Sequence, residues 1–283
     1  MLVLAFLLAA MSTAPRTGTA RSADGVAIHY EVQGTGEPAL VFVHGWAIDS
    51  RYWAAQVPVF AARHRVVTLD LAGHGRSGRD RQDWTVAAFG EDVRAVVEAF
   101  HLAKVVLIGH SMSGNVILEA AHRMPDRVVG LIPIDTLLDV DAVTSEDEIA
   151  GALAAFRADY KATASAFMRK YMFTPRTAPA LVEEVVRDAA SFPPEIGVPV
   201  LEHVWRHDPR PLLRGIKAPI VAVNADLFPT RLDHARQYAP QFDALLVHGV
   251  GHYLMREDPA AFNAQLVRAV ARVTGTAEPG ERR

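Results

Sequence analysis

A serine stands between a short apolar run and a segment that reads as a helix, which is a placement suited to a nucleophile. Residues 104–108 are too few for a buried helix and predict a strand buried on both faces, and residues 115–124 predict a helix. Ser111 then lies on the tight corner between them with its hydroxyl exposed. The positive end of the helix and the backbone N–H of Met112 can stabilise a developing oxyanion there. This arrangement predicts nucleophilic attack on a carbonyl group.

A nucleophilic serine needs a base, and His252 is the candidate near the C-terminus. It follows a short β-like run, residues 244–247, and a pair of glycines, and it precedes Asp258, which opens an amphipathic helix. A neutral imidazole on such a loop is the usual acceptor of a serine proton. The chain has 12 histidines, so a loop histidine without a role is the alternative interpretation. The surrounding sequence favours His252 as the base.

Five motifs occur along the chain in a characteristic order. They are His44-Gly45, the loop from Asp70 to Ser77, the corner at Ser111, a strand-terminal aspartate, and Gly251-His252 in the setting G-x-G-H-x-x-x-x-E-x-P. Over residues 24–273 the chain resembles the α/β-hydrolase superfamily, in its capped, serine-nucleophile, esterase- and lactonase-like branch. It departs from the G-x-S-x-G pattern because Ser113 replaces the last glycine. A hydroxymethyl group is small, so we expect the turn to survive.

The third member of the predicted triad is an aspartate that orients His252, and the sequence offers two. Asp226 follows a buried apolar strand, and this later corner is the commoner position of the acid in the superfamily. The superfamily usually has G-x-x-D there, whereas Val223 occupies the glycine position in this chain. Asp135 ends the preceding strand, where some members carry the acid and where an aspartate can also cap a turn. We favour Asp226 and keep Asp135 as the alternative.

The resemblance also implies an oxyanion hole. A buried strand leads into His44-Gly45, and in the superfamily the next residue donates a backbone N–H to the oxyanion. That residue is Trp46, whose N–H would act together with the N–H of Met112, and whose indole would form part of the acyl pocket. We expect the His44 side chain only to fix the loop. The loop from Asp70 to Ser77 is interpreted as a tight structural turn.

Alternation of strands and helices predicts an α/β fold, with a mostly parallel central sheet flanked by helices and an inserted helical cap. The predicted strands lie near residues 25–32, 38–43, 65–70, 104–109, 128–135, 218–224 and 243–248. The predicted domains are a hydrolase core at 24–137 and 216–273, a helical cap at 138–215, and a flexible tail at 274–283. The cap interrupts the alternation and would roof Ser111.

The N-terminus predicts export. An apolar run at residues 2–11 is too short to span a bilayer and is followed by small and polar residues. Residues 1–20 therefore fit a signal peptide, with Gly18-Thr19-Ala20 as the cleavage site, and a periplasmic or secreted protein is expected. A cytoplasmic location is the alternative if this run is not a signal peptide.

Composition limits the partners. The chain has 283 residues, 50% hydrophobic and 22% charged, with a formal net charge of −3 and no cysteine. These values favour a small-molecule substrate and give no indication of a nucleic-acid partner or of stable membrane insertion. His203 and His207 are four residues apart, but no acidic cluster accompanies them, so no metal and no cofactor are expected. Nothing in the sequence indicates the oligomeric state.

Together these features predict a serine hydrolase. Ser111 would attack the carbonyl of an ester or lactone of a small, largely apolar substrate, His252 would transfer the proton, and Asp226 would orient the imidazole. The same three residues would serve a carbon–carbon bond hydrolase or a cofactor-free perhydrolase. A non-catalytic, ligand-binding member of the fold is the alternative from another class. The fold does not decide among them, because the substrate is selected by the site.

Overall fold

The computed structural model describes residues 15–277, and a single mixed sheet forms the centre of this part of the chain. Its strands are β1 (Arg16–Arg21), β2 (Ala27–Gln33), β3 (Ala39–Val43), β4 (Val66–Leu69), β5 (Val105–His110), β6 (Val128–Ile134), β7 (Ile220–Ala225) and β8 (Phe242–Val247). Their spatial order is β1-β2-β4-β3-β5-β6-β7-β8. The two pairings that involve β2 are antiparallel, and β4, β3, β5, β6, β7 and β8 pair in parallel.

The parallel part of the sheet is covered on both faces, which explains why its strands are mostly apolar. Every residue of β3, β5 and β7 is buried. Strands that carry helices on both faces have no solvent-facing side, so their sequences are predominantly apolar and rich in Val, Ile and Leu. All seven predicted strands are present, and the predicted α/β fold class with a mostly parallel sheet is confirmed.

Helices connect the strands. They are α1 (Val57–Ala61), α2 (Val86–Ala99), α3 (Ser113–Arg123), α4 (Glu146–Ala158), α5 (Tyr160–Tyr171), α6 (Pro179–Ser191), α7 (Pro194–Arg206), α8 (Arg210–Gly215), α9 (Leu232–Tyr238), α10 (Leu254–Glu257) and α11 (Pro259–Thr274), with a 3-10 turn at Ser50–Trp53. Helix α3 packs on β5 and β6 and against α2, while α11 packs on β6, β7 and β8. These helices bury their apolar faces on the sheet.

Five of the helices, α4 to α8, are inserted between β6 and β7, and we call residues 146–215 the helical insertion. Its first helix begins with a capping box, in which Ser145 and Glu148 satisfy each other's backbone N–H groups. Within the insertion, α4 packs against α5 and α7, and α5 packs against α6. The insertion occupies the stretch in which the sequence alternation breaks.

Strand β1 was not predicted. Its sequence RTGTAR lacks apolar alternation, and of its six residues only Ala20 is buried, as befits a half-exposed edge strand. Residues 1–14 of the predicted signal peptide lie outside the described residues. The predicted cleavage site at 18–20 falls inside β1, so cleavage there would remove an edge strand from the sheet. No helix within residues 15–277 is long and apolar enough to cross a membrane.

The last helix extends one residue into the predicted C-terminal tail. Helix α11 continues to Thr274, and Gly275 ends it in the left-handed conformation, with φ of 68°. The first residue of the predicted tail is therefore helical. The rest of that tail from residue 278 lies outside the described residues.

Candidate active site

Ser111 occupies a strained corner between β5 and α3. Its φ of 55° lies in the left-handed region, which a residue with a side chain adopts only where the surrounding structure imposes it. Its N–H donates to the carbonyl of Ile134, 2.9 Å away, and its carbonyl accepts the N–H of Gly114. A side chain on Gly109 would collide with the carbonyl of Ser113, so glycine is required where strand and helix backbones meet. The predicted serine corner is present.

The departure from the G-x-S-x-G pattern has a structural use. The Ser113 side chain is fully buried, and its hydroxyl donates a hydrogen bond to the backbone carbonyl of His44. The next residue of that loop, Gly45, lies against the corner, because a Cβ there would be 2.7 Å from His110 Nδ1 and 3.2 Å from the Cβ of Ser111. Ser113 therefore fastens the loop before Trp46 to the corner, and its hydroxyl faces away from solvent.

The His44 side chain fixes its own loop, as expected. Leu71 donates its N–H to Nε2 over 2.9 Å, so Nδ1 carries the hydrogen and donates to the carbonyl of Gly45 over 2.8 Å. Burial lowers the pKa of His44, because a charged imidazole would lose its hydration there. The ring is a neutral structural tie between two loops.

Two backbone N–H groups beside Ser111 are available to an incoming oxygen. Met112 stands at the N-cap of α3 in helical conformation, and Trp46 follows Gly45 in the loop after β3. Among residues 15–277 neither N–H has a hydrogen-bond acceptor. Unpaired N–H groups at a helix N-terminus attract negative charge. These are the two donors that the sequence predicted for an oxyanion hole.

The side chain of Trp46 extends into the helical insertion. Its Nε1–H donates to the carbonyl of Gly197 in α7 over 3.0 Å. The ring is in contact with Phe156, Tyr160 and Phe192, with centroid distances of 6.0, 6.2 and 6.4 Å. The insertion therefore holds the indole of a residue whose backbone faces Ser111.

His252 is paired with Asp135, the alternative acid. Its Nδ1 donates to Asp135 Oδ2 over 2.6 Å, and the two side chains are 14% and 3% exposed. The other carboxylate oxygen, Oδ1, accepts the N–H of Ala225. Asp135 has a φ of 47°, a conformation that Asp tolerates better than most residues. The pairing fixes the proton on Nδ1 and leaves Nε2 as the basic nitrogen.

The prediction that Asp226 orients His252 is wrong in this structure. Asp226 Oδ2 accepts a hydrogen bond from Nδ1 of His248 over 3.0 Å, and Oδ1 accepts the N–H of Gly249 over 2.8 Å. Both oxygens are therefore occupied by the loop that precedes His252. The bonds from Gly249 and then His248 lower the pKa of Asp226. The departure at Val223 from the superfamily's usual glycine was the available signal against this position.

Sequence analysis missed His110, the residue before Ser111. Its Nε2–H donates to the backbone carbonyl of His252 over 3.0 Å, and the two rings are 4.6 Å apart at their centroids. Burial lowers the pKa of His110 well below the usual histidine value, so the ring is neutral beside His252. The last residue of β5 thus holds the backbone of the predicted base, and the predicted nucleophile follows it directly.

An apolar cleft of about 660 Å³ opens in the helical insertion. Aromatic and aliphatic side chains form most of its lining, together with the charged side chains of Glu148 and Lys170; the apolar residues include Ile149, Phe156, Phe167, Trp205 and Phe228. This volume suits a drug-sized ligand. Phe156 lines the cleft and also makes the edge-on contact with the ring of Trp46, so the cleft and the Trp46 indole share one aromatic neighbour.

His203 lies in α7, and His207 follows the end of that helix. Within the described range no group of three or more His, Asp or Glu side chains is arranged to hold a metal ion. His207 is partly buried, and this burial lowers its pKa. His203 shows no hydrogen-bond partner in the described part of the chain.

Comparisons with known proteins identify the family of the chain. Residues 40–265 match the alpha/beta hydrolase family, and the chain belongs to that family. A stretch of 141 residues, 50% of this chain, is 32% identical to 40% of an uncharacterised protein of Mycobacterium tuberculosis. A stretch of 250 residues, 84% of the chain, is 31% identical to 65% of the dihydrolipoyllysine-residue acetyltransferase component of the acetoin cleaving system of Pseudomonas putida. The chain thus spans less than two thirds of the length of these relatives.

Solved structures share the fold. An esterase of Thermogutta terrifontis superposes with a TM-score of 0.80 at 23% identity, over 91% of this chain and 99% of that one. The enol-lactonase of Burkholderia xenovorans LB400 superposes with a TM-score of 0.78 at 20% identity, over 90% of this chain and 100% of the other. The protein is therefore an α/β-hydrolase in both sequence and architecture.

Proposed function

We propose that this α/β-hydrolase is a serine hydrolase that cleaves a carboxylic ester or lactone through an acyl-enzyme. Ser111 is the nucleophile, His252 the general base and Asp135 the acid that orients it. The backbone N–H groups of Trp46 and Met112 form the oxyanion hole. The esterase and enol-lactonase among the structural neighbours support this choice of bond within the family.

The proposed reaction gives each of these groups one role. His252 Nε2 takes the hydroxyl proton as Ser111 Oγ attacks the carbonyl carbon, and the two N–H groups bind the resulting oxyanion. The imidazolium returns the proton to the leaving alcohol as the ester bond breaks. Water then attacks the acyl-enzyme by the same route, which releases the acid and restores the hydroxyl of Ser111.

One observation carries the proposal: the part-buried 2.6 Å bond from His252 Nδ1 to Asp135, with the backbone of His252 bonded by His110, the residue that precedes Ser111. A carboxylate in that position stabilises the imidazolium that proton transfer creates. His44, which is fully buried, bonds only backbone groups, whereas the carboxylate partner of His252 is itself only 3% exposed.

Fluorophosphonate labelling tests the proposal. The wild-type protein should be labelled on Ser111, and Ser111→Ala should lose labelling and at least about 10³-fold in kcat on any accepted ester. Ser113→Ala is the matched control, because it removes a neighbouring hydroxyl that donates to a backbone carbonyl, and it should still be labelled. Labelling that depends on Ser113 instead of Ser111 would contradict the assignment. A folded wild-type protein that is not labelled would indicate a ligand-binding member of the fold.

We further propose that the helical insertion acts as a cap and that its apolar cleft selects the acyl group. A panel of p-nitrophenyl esters of increasing chain length, assayed on the wild type and on Trp205→Ala, tests this. The variant should change the ranking of chain lengths, by tens of fold at most, because one methylene is worth only about 1–3 kcal/mol in a pocket. Labelling should persist. An unchanged ranking would place substrate selection elsewhere.

A further inference from the structure

The backbone of His252 is held on two sides by different parts of the molecule. Its carbonyl accepts the bond from His110 at the end of β5, as described above. Its N–H donates to the carbonyl of Met172 over 2.8 Å. Met172 ends α5 in the helical insertion, so the predicted base is fastened to the insertion as well as to the sheet.

The segment from residue 172 to residue 177, which we call the strap, runs directly against the histidine loop. A Cβ on Gly251 would lie 2.5 Å from the carbonyl oxygen of Met172 and 3.0 Å from the Cα of Phe173. The ring of Phe173 stacks on Tyr253, at 5.9 Å and 27°. Only glycine at position 251 allows this approach, so the strap and the histidine loop are fitted to each other.

A carboxylate joins the far end of the strap to the same loop. Glu257 Oε2 accepts the N–H of Gly251 over 2.9 Å and the hydroxyl of Thr177 over 2.6 Å. The Thr177 oxygen in turn accepts the N–H of Thr174 over 3.1 Å, which closes the turn of the strap. Thr177 is 9% exposed and lies 80 positions from Glu257 in the sequence. Hydrogen bonds with an ionised acceptor are among the stronger ones in proteins.

The geometry points to Thr177 and Glu257 as positioning residues for His252. Neither side chain bonds the imidazole. Glu257 holds the N–H of the residue before His252, and Thr177 holds Glu257 and the turn that presents the Met172 carbonyl. The position of the insertion and the position of the base are therefore coupled through the strap. This inference rests on the proposed function, since it assigns a role to residues that act through the general base.

The coupling has a kinetic consequence. A misplacement of about 1 Å in a reacting group can lower a rate by up to about 100-fold. Loss of one bond in the strap leaves the Met172 and His110 bonds to His252 in place, so a smaller loss is expected. Substrate contacts are not removed, and the effect should fall on kcat and on the rate of acylation rather than on KM.

The test is Thr177→Val, which is nearly isosteric and removes the hydroxyl. On the best p-nitrophenyl ester, well below the unfolding temperature, kcat and the rate of fluorophosphonate labelling should each fall about tenfold, with KM changed by less than about twofold. Thr177→Ser keeps a hydroxyl and should restore most of the rate. Glu257→Gln, which weakens the acceptor, should lower kcat in the same direction.

Thr274→Val is the matched control, because its hydroxyl bonds only helix carbonyls and a neighbouring threonine at the end of α11, and kcat should not change. Thr177→Val with wild-type kcat and labelling rate, or with a lower unfolding temperature alone, would overturn the inference. So would a Thr177→Ser variant that is as slow as Thr177→Val. If the wild type itself were not labelled, the proposed function would fail, and that outcome is distinct from failure of the strap.

Discussion

The ends of β6 and β7 carry the same pair of groups in two very different settings. At β6, Asp135 bonds His252, and the two side chains are 3% and 14% exposed. At β7, Asp226 bonds His248, and the two side chains are 39% and 74% exposed. Both histidines come from the chain that follows β8. The Asp135–His252 pair can support proton transfer in a place shielded from bulk water, whereas the Asp226–His248 pair is a surface contact.

Burial explains the different consequences. In a low-dielectric site the attraction between an imidazolium and a carboxylate is strong, and the carboxylate is held by an additional backbone N–H from Ala225. At the surface, water and salt screen the same attraction, so the Asp226 pair fixes the loop and little more. A strand-terminal aspartate is therefore a candidate acid only if the fold buries it beside the base.

The strongest test of this difference exchanges each acid for its amide. Asp135→Asn should lower kcat by about 10³–10⁴-fold, because an amide cannot stabilise the imidazolium and can hold the wrong tautomer. Asp226→Asn, the matched control, should leave kcat within about twofold, as is usual for surface substitutions. Steady-state kinetics on one ester measure both. The reverse ranking would restore Asp226 as the acid.

Local patterns predicted the parts of the site that are built locally. The corner at Ser111, the loop at Trp46 and the loop at His252 each consist of consecutive residues whose strand, glycine and helix signals lie together in the sequence. The acid is different, since its identity depends on which strand end lies beside the β8 loop in three dimensions. The sequence offered an aspartate at the end of each of two apolar strands, and the commoner position of the acid favoured Asp226 over Asp135.

Contacts between segments that are distant in the chain could not be predicted from the sequence either. The bond from Thr177 to Glu257 spans 80 positions, and the bond from Trp46 to Gly197 spans 151. The spacing of apolar residues along the chain predicts helices and strands but not such contacts. Strand β1 was missed for another reason: an exposed edge strand does not need the apolar alternation by which strands are recognised.

Buried histidines whose rings hydrogen-bond no carboxylate should make the free energy of unfolding depend on pH. Burial lowers the pKa of His74 from 6.5 to about 3, and it also lowers the pKa values of His44 and His110. Below pH 6.5 these histidines bind protons in the unfolded chain but stay neutral in the folded state. Stability should therefore be complete above about pH 6.5 and fall as the pH drops towards 3, by up to about 1.4 kcal/mol per pH unit for each such ring.

Urea unfolding at several pH values between about 5 and 8 measures this slope. His74→Phe should make the slope shallower, because the ring packs against Phe89 and Phe192 and a phenyl group cannot take up a proton in the unfolded state. His248→Ala, at an exposed histidine, should keep the wild-type slope. A stability that is flat with pH in the wild type would mean that these rings are not held neutral by burial.

The smallest expected effect concerns the surface pair itself. A double-mutant cycle with Asp226→Asn and His248→Ala should give a coupling free energy of about 0–1 kcal/mol in urea unfolding at neutral pH, since exposed pairs are screened by water. Part of the cost of Asp226→Asn should persist in the absence of His248, because Oδ1 also accepts the N–H of Gly249. Added salt should reduce the coupling further. A coupling well above 1 kcal/mol that resists salt would show that the β7 pair is effectively buried, and the contrast with Asp135 would then rest on geometry rather than on burial.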